Sequence, residues 1–286
     1  MVRLGEEKGQ AMRRMRWLIC GFAFAGVAQQ AIAADLGDSF LRGASTVITA
    51  PGGNRWDGVY FGGQIGAVYS GTNFASSSKS LVAFLLRNTT IENEFHVSDW
   101  TTLGKADTSG ISYGGFIGYN MQWEEAVVGV EANYNRTNVS TSASDSMRRL
   151  FATSDGYNND VSVTATSAIN ISDYGTLRLK GGWAAGNFMP YGFVGFALGR
   201  ADVTRTAHVI ASGTSTTGGP PYAFDQTTTA AKIGDFAYGY AVGLGVDMAL
   251  MQYLFVRAEY EYVQFGAFND LNTHIHTARV AAGVKF

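Results

Sequence analysis

Tyr253-Leu254-Phe255-Val256-Arg257-Ala258-Glu259-Tyr260-Glu261-Tyr262-Val263-Gln264-Phe265 is the stretch whose reading decides the fold. Leu254, Val256, Ala258, Tyr260 and Tyr262 share one face of an extended chain, and Arg257, Glu259 and Glu261 share the other. Alternate side chains of a strand point to opposite faces, so this period of two predicts a strand with one greasy and one ionised face. The end of the chain repeats it: Ala278, Val280, Ala282, Val284 and Phe286 oppose Thr277, Arg279, Ala281, Gly283 and Lys285. Further back, Val128, Val130, Ala132 and Tyr134 oppose Gly129, Glu131, Asn133 and Asn135, and Leu177, Leu179 and Trp183 oppose Thr176, Arg178, Lys180 and Gly182. Tyr238, Tyr240, Val242, Leu244 and Val246 oppose Gly239, Ala241, Gly243, Gly245 and Asp247. Two early segments behave alike, with Val59, Phe61, Ile65, Ala67 and Tyr69 against Tyr60, Gly62, Gln64 and Gly66, and Tyr113, Ile117 and Tyr119 against Gly114, Phe116, Gly118 and Asn120. Segment 189–202 has Gly192, Gly195 and Gly199 on both faces, which leaves its facing open.

Eight strands result, and the links between them alternate in length. Residues 71–109, 140–170, 204–235 and 267–273 form the long-side links; 122–125, Gly186-Asn187 and 250–252 form the short-side turns. Short turns at one end and long loops at the other are the habit of an antiparallel up-and-down transmembrane β-barrel, and a soluble sandwich has no reason to segregate its loops this way. Residues 161–171 and 81–86 leave open either strands that run on beyond the membrane or a ninth and tenth strand.

The facing inverts the rule for a soluble barrel. The charged rows, not the greasy rows, mix with glycine and face inward, because Arg or Lys at a lipid-facing midplane costs about 2–4 kcal/mol. Closure is required, since an open edge in hydrocarbon leaves unpaired N–H and C=O groups. Eight strands enclose a space that side chains alone can fill. Glu131, Arg178, Lys180, Arg257, Glu259 and Arg279 are therefore expected to form a charged plug at mid-depth. Counting from the short-turn ends sets Glu131 level with Lys180 and Glu259 level with Arg279. Gly62, Gly66, Gly114, Gly118, Gly243 and Gly245 are expected to make room for the long side chains. Tyr69, Tyr134, Tyr238 and Tyr262 toward the long loops, and Tyr119, Tyr253 and Phe286 toward the short turns, fit two interfacial girdles.

Composition agrees. Of 286 residues 36 are Gly and 4 Pro, aromatics make up 13%, and charged residues only 15% against the usual ~25%. One cysteine excludes a disulfide scaffold. A net charge of −2 without a basic run argues against nucleic acid as a partner, and the aromatic content argues against disorder. Arg13, Arg14 and Arg16, a run of about a dozen apolar residues and Ala31-Ile32-Ala33 read as a secretory signal peptide over residues 1–33, cut after Ala33; the run is too short for the ~20 residues of a membrane-spanning helix. Residues 1–11 add nothing to that signal, so translation could start at Met12 or Met15. Residues 34–55 are then a periplasmic segment and 56–286 the barrel.

Phe286 ends the chain on an amphipathic strand, the kind of signal that outer-membrane assembly machinery reads. At this point the sequence resembles a known family. Trp56-Asp57-Gly58-Val59-Tyr60-Phe61-Gly62-Gly63 is similar to its opening strand. Gly114-Gly115-Phe116-Ile117-Gly118-Tyr119-Asn120 with Val128-Gly129-Val130-Glu131-Ala132 is similar to its second hairpin, and Arg257-Ala258-Glu259-Tyr260-Glu261-Tyr262 and the ending His276-Thr277-Ala278-Arg279-Val280 to its last strands. The family is that of the small outer-membrane β-barrels of alphaproteobacteria, typified by Brucella surface antigens and Bartonella hemin-binding proteins. Phe116 stands where the family usually has Gln, which makes this lumen less polar. The resemblance implies an eight-stranded barrel in the cell outer membrane, with a role in envelope integrity and surface interaction. Its implied partners are outer-membrane lipid, lipopolysaccharide and the assembly machinery. Because members are variously called porins or hemin binders, the alternative is a small porin or a barrel that binds hemin or a host surface ligand.

Little chemistry competes with that reading. His274 and His276 share a face near the outer rim, but two imidazoles two residues apart read more simply as rim residues than as metal ligands. The neighbouring hydroxyls are Thr273 and Thr277, and no Ser lies in that strand to serve as a nucleophile. Ser76-Ser77-Ser78-Lys79 reads as linker, and Gly62-Gly63-Gln64-Ile65-Gly66 is followed by strand, not by the helix of a phosphate loop. No catalytic residue, cofactor or metal is expected.

Overall fold

The computed structural model describes residues 55–266 and 271–286. The expected signal peptide with its cleavage at Ala33, and residues 34–54 of the periplasmic segment, lie outside the described residues. Eight strands run β1 (Gly58–Asn73), β2 (Lys105–Trp123), β3 (Ala126–Ala152), β4 (Tyr157–Trp183), β5 (Phe188–Ser215), β6 (Tyr222–Ala249), β7 (Leu254–Phe265) and β8 (Asn272–Lys285). Each pairs antiparallel with the next, and β1 pairs with β8 to close the ring. The eight-stranded up-and-down barrel is the architecture the alternation predicts; among the described residues there is no ninth or tenth strand.

The facing follows the inverted rule. Leu179 is 62% exposed and Val280 59%, whereas Arg178, Arg257 and Arg279 are buried. Tyr69, Tyr134 and Tyr238 stand exposed toward the long-link end, and Tyr119, Tyr253 and Phe286 toward the short-turn end. The outer wall is thus an apolar band between two aromatic rims, a surface that hydrocarbon solvates and water does not. The facing of β5, open in the sequence, is settled: Met189, Tyr191, Phe193 and Ala197 point in, and Val194, Phe196 and Leu198 point out. With Phe on both faces and three glycines, the strand carries no hydropathy contrast from which its facing could be read.

The long links depart from expectation. Residues 140–152 and 157–170 are not loop but the continuation of β3 and β4, and 204–215 and 222–235 continue β5 and β6. Their inward rows, Val161, Val163 and Ala165 on β4 and Ala207, Val209 and Ala211 on β5, are fully buried. Their outward rows are mostly Ser, Thr and Asn, with Asp160, His208 and Ile210 among them, so contrast falls while alternation persists. Four strands therefore stand beyond the barrel wall as a sheet. The link after β1 folds into helices α1 (Lys79–Leu85) and α2 (Thr90–Phe95) and one turn of 3-10 helix (Val97–Asp99). Residues 81–86, weighed as strand, are helical because Val82 and Leu86, four apart, bury together against Val161, Val163 and Val209. Thr89 caps α2 by accepting from the Glu92 amide at 3.2 Å.

Candidate functional site

The barrel interior is stacked in layers. Nearest the short turns lies an aromatic layer of Trp56, Tyr60, Phe116, Tyr191, Phe193 and Phe255 with Met189. Above it come the ionised side chains. Arg178 donates to Glu131 at 2.6 Å, to Glu259 at 2.7 Å and to Glu261 at 2.9 Å. Arg257 donates to Glu131 at 2.8 Å and to Asp247 at 2.7 and 3.1 Å. Lys180 donates to Asp247 at 2.6 Å. Arg279 lies 2.7 Å from Glu261 and 3.4 Å from Glu259 as ion pairs. Four cations thus meet four anions, and none of the eight residues is more than 5% exposed. Neutral donors fill what remains: Tyr60 donates to Glu131 at 2.9 Å, Tyr191 to Glu259 at 2.6 Å and Asn133 to Glu131 at 2.8 Å. Gln64 bridges Asn133 and Asn135.

The six residues singled out in the sequence all belong to this layer, and two more belong with them. Asp247 and Glu261 stand on the charged face of their strands, and that parity was the signal that could have enlisted them. One pairing is corrected. Glu131 stands opposite Arg178, and Lys180 opposite Gly129. A slip of two residues leaves every side chain on its own face, so alternation cannot detect it. Here the ladder also shifts between Arg136 and Val139, between this pair and the 153–156 turn that joins the two strands. Glu259 stands opposite Arg279.

The glycines make room chiefly for rings. A Cβ at Gly118 would collide with the Tyr60 ring, one at Gly62 with the Phe116 ring, and one at Gly245 with the Tyr191 ring. Only at Gly66 is the neighbour Arg279. Those rings floor the cations: the Arg178 guanidinium sits 4.2 Å above Phe193, Arg257 4.4 Å above Phe116, and the Lys180 ammonium 3.6 Å above Tyr191. Phe116 therefore replaces polarity with a cation–π contact. Gly243→Ala is expected to cost about 1–3 kcal/mol in urea unfolding, because its methyl would enter both the Phe193 ring and the Tyr260 carbonyl. Gly192→Ala, with its nearest atom at 3.7 Å, is expected to be neutral or mildly stabilising.

Above the ions an apolar cluster of Val68, Phe74, Leu103, Ile171, Phe265 and Ile275 mixes with buried hydroxyls such as Ser70, Thr72 and Thr273. A void there, lined by Ile169, Ile171, Phe265, Leu271 and others, has about 10 Å³, the scale of one water. His274 and His276 point outward, not into this space. His276 Nδ1 lies 2.6 Å from the Tyr260 hydroxyl, and its ring lies 4.9 Å from that of Tyr262. Thr273 and Thr277, next to them in sequence, are buried in the lumen. Imidazoles and hydroxyls therefore occupy opposite faces of β8 and do not meet. Phe286 lies outside, stacked on Phe61 with ring centroids 5.7 Å apart.

A family model described as outer membrane protein beta-barrel domain matches residues 22–286. Among solved structures, the attachment invasion locus protein Ail of Yersinia pestis, in complex with the heparin analogue sucrose octasulfate, is 14% identical; the match covers 80% of this chain and 99% of that one, with a TM-score of 0.30. Neisserial surface protein A is 18% identical, with 80% and 100% covered and a TM-score of 0.30. The N-terminal β-barrel domain of Pseudomonas aeruginosa OprF is 13% identical, with 80% and 98% covered and a TM-score of 0.29. No curated protein matches the sequence.

Proposed function

Because the chain belongs to the outer membrane protein beta-barrel domain family, and so lies in the bacterial outer membrane, we infer that it is a structural, surface-exposed barrel. Its role on this reading is envelope integrity and surface interaction, with a lumen plugged by charged side chains. The observation that carries the plug is the neutral, buried ion layer that reaches from Glu131 on β3 to Arg279 on β8. A conducting pore needs water along its axis. Here carboxylates and guanidinium groups pair chiefly with one another above an aromatic floor. On the same reading Phe286 is the residue that the assembly machinery recognises, and residues 1–33 are the export signal.

The test is conductance. Refolded protein in a planar bilayer is expected to give no stable openings of porin size. Sustained steps at constant voltage would overturn the plug and favour the small-porin alternative.

A further inference from the structure

The outward face of the sheet that β3 to β6 raise beyond the barrel wall ends in a concavity of about 470 Å³. It lies in the last two rows before the strands turn back. Leu150 stands opposite Asp160 and Asp160 opposite Ser212; one row higher, Ala152 stands opposite Asn158 and Asn158 opposite Thr214. These six residues alternate with the buried inward row and line the space from outside. Ala152 and Ser212 are short, and Leu150 sets an apolar side chain, 77% exposed, beside them. Asp160 is fixed from one row below, where Arg148 donates to both of its oxygens, with Nε at 2.8 Å. A carboxylate oxygen has two lone pairs, so each keeps one to accept a further hydrogen bond. Among the described residues the Asn158, Ser212 and Thr214 side chains bond to no other. The concavity thus offers acceptors, donors and one apolar surface, and its only charges are paired with each other.

We propose that this concavity binds a neutral sugar unit of a glycan presented from outside the cell. The inference rests on the surface-exposed reading above and names the chemistry of the partner. A pyranose ring carries hydroxyls that both donate and accept, and a C–H face that packs on an apolar side chain. Asp160, Asn158, Ser212 and Thr214 answer the hydroxyls, and Leu150 answers the C–H face. A sulfated or phosphorylated glycan finds no free cation here, because Arg148 is already engaged by Asp160. A protein partner finds no outward aromatic anchor of the kind that dominates such interfaces, since the Phe151 ring turns inward onto Phe95 and Trp100. The face below continues the same chemistry: Ser144, Thr166, Thr206 and Thr229 form one uncharged row of hydroxyls, and Ser146, Thr164 and Thr227 flank His208 in the next. Height sets the source. Tyr134 in the outer aromatic rim stands opposite Gly175, and from there β4 climbs to Asp160, about 50 Å along the strand at about 3.3 Å per residue. The concavity therefore stands clear of the lipid and opens to what arrives from outside.

The test uses the full chain refolded into phospholipid vesicles, with fluorescent oligosaccharides of a neutral glucan, mannan and galactan as probes. At least one is expected to bind, and dextran sulfate is expected to bind no more tightly than dextran. Asn158→Ala with Ser212→Ala is expected to weaken the binding at least about tenfold, while Ser142→Ala, far below on the same face, leaves it unchanged. Both variants are checked for unchanged β-signal, so a misfolded barrel is recognised as such. No binding by any neutral probe, binding indifferent to the paired substitutions, or tighter binding of dextran sulfate would each overturn the proposal. Loss of probe binding when lipopolysaccharide is added to the vesicles would overturn the outside source in favour of saccharide from the barrel's own leaflet. Whole-cell labelling of Thr217→Cys, at the exposed turn after β5, separates the two levels. No labelling sinks the surface reading, while labelling without glycan binding sinks only the sugar site.

Discussion

Arg178→Met is expected to lower the unfolding free energy of the barrel by about 3–5 kcal/mol, measured by urea titration in lipid vesicles. The side chain lost is the hub of the layer, the donor shared by Glu131, Glu259 and Glu261. Methionine has similar length, so the loss is electrostatic rather than a cavity. What remains is three cations against four anions in a site that water does not reach. The Coulomb attraction that repaid the desolvation of the carboxylates is gone while the desolvation persists. The double variant Arg178→Met with Glu131→Gln restores the balance of charge and is expected to recover part of the loss. A double variant as unstable as the sum of the two singles would show that the pair acts independently, against the network described here.

Leu179→Arg is the second large effect, expected at about 2–4 kcal/mol in the same titration. It adds a charge one residue from Arg178, yet the physical reason is different. Leu179 points out of the barrel at the level of the ion layer, where hydrocarbon neither solvates a guanidinium nor offers it a carboxylate. In detergent micelles, where water reaches the protein wall more readily, the penalty is expected to shrink. The penalty of Arg178→Met, sealed in the lumen, is expected to persist. The two neighbours thus separate inside from outside by experiment: equal sensitivity of both to the solvating medium would contradict the facing.

The facing was legible because lipid reverses the sign of the usual pattern and leaves its period alone. Arg257, Glu259 and Glu261 against Val256, Ala258 and Tyr260 admit no other arrangement in a closed sheet whose outer wall meets lipid. The register across β3 and β4 was not legible. The turn that joins them, at 153–156, lies beyond a shift in the ladder between Arg136 and Val139, and moving Glu131 from Lys180 to Arg178 changes no side chain's face. The sheet beyond the wall was hidden by composition. Ser140, Ser142, Ser144 and Ser146 place a hydroxyl on each outward position, and Thr141 and Ala143 opposite them offer little contrast, so the segment looks like a polar loop. In β4 the inward Val161, Val163 and Ala165 held the missing signal. The glycines were read as space for long cations, whereas most are space for rings, since sequence spacing gives no clue to which neighbour leans across.

The arrangement of charge along the chain bears on how such a barrel enters a membrane. Glu131, Arg178 and Lys180 lie on the consecutive strands β3 and β4 and sum to one positive charge; Asp247, Arg257, Glu259, Glu261 and Arg279 lie on β6 to β8 and sum to one negative charge. The pair β3–β4 brings Glu131 with Arg178 and Lys180, the pair β7–β8 is neutral in itself, and Asp247, the one ion of the layer on β5–β6, cancels the residual charge of β3–β4 when Lys180 reaches it. Insertion hairpin by hairpin then carries little net ionic cost at each stage, and the last electrostatic gain rewards completion of the ring.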